Sequence, residues 1–216
     1  MKEQTTGVYA RKLADNGFIT IAFGASYQGE STGEPRQVEP IYPNGGYQRG
    51  NRLSDDTSAG RQQPNRSHGN LSGGGYTAHA AIDARRIKAV GTVSAVNIGS
   101  MFRNGWGCRA TLPVSPLRKQ DAPEITYEAF HMAESFLTPP LEIVAGSVLE
   151  SKWMSDDLYR RPASTRKNLY VVARANHMNL YNVRSTSMRL CRHWRPSSRP
   201  IFKFKRNAAA RLLAVP

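Results

Sequence analysis

His177, in the run Ala175-Asn176-His177-Met178-Asn179-Leu180-Tyr181, has the side chain of a proton shuttle. An imidazole that titrates near neutrality takes a proton from a hydroxyl or thiol and returns it to a leaving group. Ser72, in His68-Gly69-Asn70-Leu71-Ser72-Gly73-Gly74-Gly75, sets a hydroxyl beside a glycine run, and Glu150, Asp156 and Asp157 supply carboxylates. Each also has a plain structural reading. His177 alone is an exposed loop histidine, Ser72 caps a helix that begins at Gly73, and Asp156 and Asp157 charge the first turn of a helix. Metal chemistry is not indicated: Cys191 and His193 are too close to form half a zinc site, and His68, His79 and His131 sit at no ligand spacing. Cys108 and Cys191 read as free thiols, and no cofactor is implied.

The elements that must position these residues follow from hydrophobic pattern. Residues 4–16 carry Val8 and Leu13 at helical spacing and stop at Gly17, before the apolar run Phe18-Ile19-Thr20-Ile21-Ala22-Phe23. That predicts a helix followed by a buried strand. Gly24 to Ser31 then offers small and polar residues beyond the strand, where open α/β sheets place ligand loops. Gly73 to Ile82 is an alanine-rich helix candidate, and Ile87 to Val93 a second buried strand. Leu141 to Ala145 and Leu169 to Val172 are two further strands, with a helix over Met154 to Arg161 between them. Repeated alternation of strand and helix argues for a mostly parallel sheet with helices on both faces. Two stretches, 37–71 and 107–122, show neither period and are expected to be irregular.

The chain has 30 Lys and Arg, 16 Asp and Glu, and a net charge of +14. Nine of those basic residues fall from Arg184 onward, where there is no acid, leaving 21 against 16 in the remainder. The excess is therefore a property of the tail, 184–216, which reads as disordered. Its basic residues interleave with Trp194, Phe202 and Phe204, a composition suited to non-specific nucleic-acid binding through phosphate and base stacking. No apolar run follows the first residues, and nothing approaches the roughly 18 apolar residues of a membrane span. A soluble, cytoplasmic protein is expected, with no membrane partner and an oligomeric state that the residues do not specify.

Four blocks recur in a shared order: Phe23-Gly24-Ala25-Ser26-Tyr27-Gln28-Gly29-Glu30-Ser31; Arg86-Ile87-Lys88-Ala89-Val90-Gly91-Thr92-Val93-Ser94-Ala95-Val96; Ser151-Lys152-Trp153-Met154-Ser155-Asp156-Asp157-Leu158-Tyr159; and Ala175-Asn176-His177-Met178. With the residues around them, at 13–36, 73–106 and 125–181, the chain resembles the dienelactone-hydrolase-like and polyketide-transferase-like α/β-hydrolases over somewhat more than half its length. The resemblance implies an incomplete α/β-hydrolase domain over 1–183 and a small-molecule carbonyl substrate, an ester, thioester or lactone, attacked through a covalent acyl-enzyme. It makes His177 the general base, Asp156 or Glu150 the carboxylate that orients it, Ser72 the nucleophile and Gly73 N–H an oxyanion donor.

The chain departs from the family at the nucleophile turn. Aligning the glycine run puts Leu71 at the attacking position, whereas Ser72 has Gly74 two residues after it but Asn70 two before. The family's early strands and second oxyanion loop would precede Met1, and one lost oxyanion donor costs about 2.7 to 4 kcal/mol of transition-state stabilisation. Family-like blocks alternate abruptly with Arg, Ser, Pro and Gln-rich ones, as expected of a truncated gene with segments out of frame or joined across a deletion. The residues thus lead to a hydrolase or acyl transferase, an inactive remnant of one, or a nucleic-acid binder acting through its tail.

Overall fold

Ala89 to Val93 and Leu141 to Gly146 are buried at every position. Strands achieve this only with a neighbour on each side and a layer on each face. The computed structural model describes residues 5–16, 18–24, 65–107, 125–182 and 212–214. The element order is α1 (Gly7–Ala14), β1 (Thr20–Ala22), β2 (Arg66–Asn70), α2 (Ser72–Asp83), β3 (Ala89–Val93), α3 (Ile98–Asn104), α4 (Ala133–Phe136), β4 (Leu141–Gly146), α5 (Lys152–Arg160), β5 (Lys167–Val172), α6 (His177–Asn182) and β6 (Leu212–Ala214).

Strands β2-β3-β4-β5 form one wholly parallel sheet in chain order. Register sets Asn70 beside Val93, Val93 beside Val144, and Gly146 beside Val172, so the carboxyl ends of all four strands lie along one edge. A second sheet pairs β1 with β6, also in parallel, Thr20 facing Leu212. Thr20 Oγ1 donates to Ala10 O at 3.1 Å and ties β1 to α1.

Successive strand residues point to opposite faces. Ile143 belongs to a core with Val90, Leu141, Ala78, Phe130 and Leu158. Its neighbour Val144 belongs to another, with Val93, Tyr9, Leu13 and Leu180. Helices α2 and α5 therefore cover one face and α1 and α6 the other, as the alternating pattern predicts. Tyr9 OH donates to Leu180 O at 2.7 Å and closes the α1–α6 layer. Beyond β3, Glu128 pairs with Arg103 at 2.6 Å and Arg161 at 3.4 Å, holding the segment before β4 against α3 and α5.

Two expectations change. Residues 66–70, placed within the irregular stretch 37–71, form β2. Arg-Ser-His-Gly-Asn has little strand propensity, and the strand exists because β3 offers a fully buried partner and α2 packs behind it, with Ser67 Oγ and Thr77 Oγ1 3.3 Å apart in the interface. Within the tail expected to be disordered, Leu212–Ala214 is the strand that pairs with β1. The loop from Ala25 to Ser31, most of 107–122, both cysteines and the remainder of the tail lie outside the described residues. No described helix is long and apolar enough to cross a membrane.

His68 on β2 gives the fold a pH dependence. Burial pushes its pKa from the ordinary 6.5 to about 4, opposed by a 3.2 Å contact of Nδ1 with Gly91 O. Below pH 6.5 the unfolded chain binds a proton at this site that the folded chain refuses until about pH 4. Stability therefore falls as pH drops through that window, by at most roughly 3 kcal/mol from this residue. Urea unfolding at pH 7.5 and 5 should show the loss, and His68→Gln should flatten the slope.

Candidate active site

The turn from β2 into α2 is the sharpest in the described chain. Leu71 has φ 54° and ψ −124°, a conformation that costs a residue with a branched side chain about 1–3 kcal/mol. It is held there by three backbone bonds. Leu71 N–H donates to Val93 O at 3.0 Å, and Leu71 O accepts from Gly74 N at 2.9 Å and Val96 N at 3.0 Å. The glycines around it are required by contact: a Cβ on Gly69 would lie 1.9 Å from Gly73 O, and one on Gly75 2.2 Å from Val96 O. Strand, strained residue and helix, with Gly69 and Gly73 two positions either side, have the geometry of a nucleophile elbow. The residue at its apex is Leu71.

Ser72 is the first residue of α2, half-buried, one position past the apex. In an elbow centred on residue 71, the N–H that faces an oxyanion belongs to Ser72, and Gly73 takes that place only if Ser72 is the attacking group. No hydrogen bond joins Ser72 to His177.

His177 opens α6, just beyond β5, at the carboxyl edge of the sheet. Its Nε2 lies 3.2 Å from Ser151 Oγ and its Nδ1 3.4 Å from Tyr181 OH. Trp106 meets the ring edge-on at 5.8 Å between centroids, and is itself fixed by Trp153 Nε1, which donates to Trp106 O at 2.8 Å. Burial lowers the His177 pKa and the Glu150 charge opposes that. Burial thus favours the neutral form of the imidazole. Tyr181 is raised above its usual range by burial, an effect the neighbouring Ser94 opposes. Ser94, at φ 52°, follows β3 as Leu71 follows β2, and its N–H donates to Val144 O at 2.7 Å. Ser151, His177 and Tyr181 form a polar string along the strand ends, and Ser94, buried with no hydrogen-bond partner for its hydroxyl among the described residues, stands beside the elbow.

The carboxylates separate. Asp156 is held by Lys152 Nζ at 2.7 and 2.8 Å, a pair one helical turn apart on α5. Glu150 is exposed and acts on His177 through its charge. Ser151, Tyr181, Ser94 and Trp106 were not among the expected site residues. Only Tyr181 had a legible signal, its i+4 spacing from His177 on one helix. Among the described residues no three His, Cys, Asp or Glu side chains gather as a metal site would require.

A parallel sheet layered by helices, with an elbow after β2 and a histidine after β5, is the α/β-hydrolase fold. No protein-family model matches the chain. YcjY of Escherichia coli K12, an uncharacterized protein, is 42% identical over 247 aligned positions, which cover 84% of this chain and 79% of YcjY. The chain belongs to the YcjY family of α/β-hydrolases. The alignment is longer than the 216-residue chain, so YcjY carries stretches within the matched span for which this chain has no counterpart. The crystal structure of the hypothetical protein PA2218 from Pseudomonas aeruginosa superposes with a TM-score of 0.71 at 17% identity, covering 89% of this chain and 79% of that one. Est1E from Butyrivibrio proteoclasticus, with ferulic acid bound, has a TM-score of 0.64 at 14% identity, covering 88% and 82%.

Nuclear magnetic resonance of the His177 ring separates the two carboxylates. Its midpoint should lie below 6.5, fall further in Glu150→Gln, because a charge that raises it is gone, and stay unmoved in Asp156→Asn. A shift in the Asp156 variant alone would reverse the assignment.

Proposed function

We propose that this chain is an acyl-transfer enzyme of the α/β-hydrolase type, built for an ester, thioester or lactone carbonyl, that is silenced at its nucleophile turn. The observation that carries the reading is Leu71 at φ 54°, ψ −124°, held by bonds to Val93, Gly74 and Val96. An alkyl side chain there has no lone pair with which to attack. In a competent elbow, an oxygen or sulfur at residue 71 adds to the carbonyl carbon while His177 takes its proton. The tetrahedral intermediate then expels the leaving group, which receives that proton, and water repeats the cycle on the acyl-enzyme. Glu150 is the carboxylate assigned to His177 by charge, Asp156 being occupied by Lys152.

One observation favours an active alternative: Ser72 carries a partly exposed hydroxyl at the first turn of α2. In that case Ser72 attacks, with the N–H of Gly73 at the oxyanion.

A chromogenic short-chain ester distinguishes these readings. The native chain should turn it over no faster than His177→Ala. Leu71→Cys should release an initial burst and exceed the native rate on the order of a hundredfold, with the gain lost in Leu71→Cys/His177→Ala. Native turnover abolished by Ser72→Ala would contradict the silenced reading and establish the alternative.

A further inference from the structure

An open cavity of about 500 Å³ lies at the amino-terminal edge of the central sheet, between the end of α2 and the segments that enter β3, β4 and β5. Strands of five and six residues separate it from the His177 edge, on the order of 15–20 Å away. Its walls include Ile82, Phe136 and Pro140. Phe136 is 51% exposed, a large apolar side chain left open to this space. Around them stand Arg85, Lys88 and Arg166, with the Ser135 and Thr138 side chains alongside.

The three cations have no acidic counterpart: no ion pair among the described residues engages any of them. Lys88 Nζ donates to Arg85 O at 2.7 Å, which holds the ammonium over the loop. The backbone beneath is fixed by the sheet, since Val90 N–H donates to Pro140 O and Leu141 N–H to Arg166 O, each at 2.9 Å. Three exposed cations thus line one cavity beside an apolar wall, an arrangement that attracts a ligand carrying two negative charges.

We propose that this cavity binds a small phosphate monoester with a compact apolar body. The guanidinium forks of Arg85 and Arg166 match tetrahedral phosphate oxygens, Lys88 adds a point charge, and the body of the ligand lies on Phe136 and Ile82. Ser135 and Thr138 supply hydroxyl donors.

Phenyl phosphate titrated calorimetrically into the full-length protein tests this. Binding with a Kd of about 1 mM or tighter is expected, weakened at least about tenfold in Arg85→Ala/Arg166→Ala and unchanged in His177→Ala. Both arginines are exposed, so the double variant should retain the native circular dichroism spectrum. Inorganic phosphate, lacking the apolar body, and benzoate, lacking the second charge, should each bind more weakly than phenyl phosphate. No binding, equal binding by the double variant, or inorganic phosphate binding as tightly as phenyl phosphate would overturn the proposal.

Discussion

The close approach of α2 to the ends of β2 and β3 is the constraint on which the site depends. A Cβ on Gly69 or Gly75 would fall within 2.2 Å of a backbone oxygen, so strand and helix touch with nothing between them. That contact leaves the chain one residue in which to reverse, and residue 71 accordingly takes a left-handed φ. The Leu71 carbonyl, accepting from both Gly74 and Val96, then couples the start of α2 to the end of β3. The same coupling sets Ser94 beside the elbow. Strain of this kind persists where surrounding bonds over-determine it, as the three backbone bonds of Leu71 do here.

The histidine side of the candidate site is set by burial and by neutral contacts. Burial lowers the pKa of half-buried His177, which meets Trp106 edge-on and contacts two hydroxyl groups, Ser151 and Tyr181. With no carboxylate on either ring nitrogen, its orientation comes from neutral contacts and the Glu150 charge. Such an imidazole is a weaker base than a free one and is held in place less firmly than one bonded to a buried carboxylate. Under the proposed function, the histidine is kept while the elbow carries a leucine, in a chain that lacks stretches its relative YcjY carries.

Much of this was legible in the residues, and the failures have physical causes. β3 and β4 announce themselves as short, largely apolar runs, because a strand buried on both faces has little polar surface to show, Thr92 and Glu142 being the exceptions. The glycine run at 73–75 is plain in the residues, and the family resemblance, aligned on that run, put Leu71 at the attacking position. β2 was not legible: Arg66 to Asn70 holds no β-branched or aromatic residue, and its strand is imposed by β3 and α2. Nor was Ser151, since a serine between a strand and a helix looks like any helix-start serine until a distant histidine is brought against it. Asp156 carried its own counter-signal, Lys152 four residues earlier on the same helix, a spacing that favours a local pair over a long-range triad.

The central claim, that residue 71 is held in an elbow conformation hostile to a side chain, is tested most directly by comparing two variants that remove the same leucine. In an ordinary helix or strand, alanine is more stable than glycine by about 0.5–1 kcal/mol. At this position the order should invert, because glycine relieves the positive φ and alanine retains it. Urea unfolding of Leu71→Gly and Leu71→Ala should place the glycine variant at the higher midpoint. The ordinary order, with Leu71→Ala the more stable, would contradict the account.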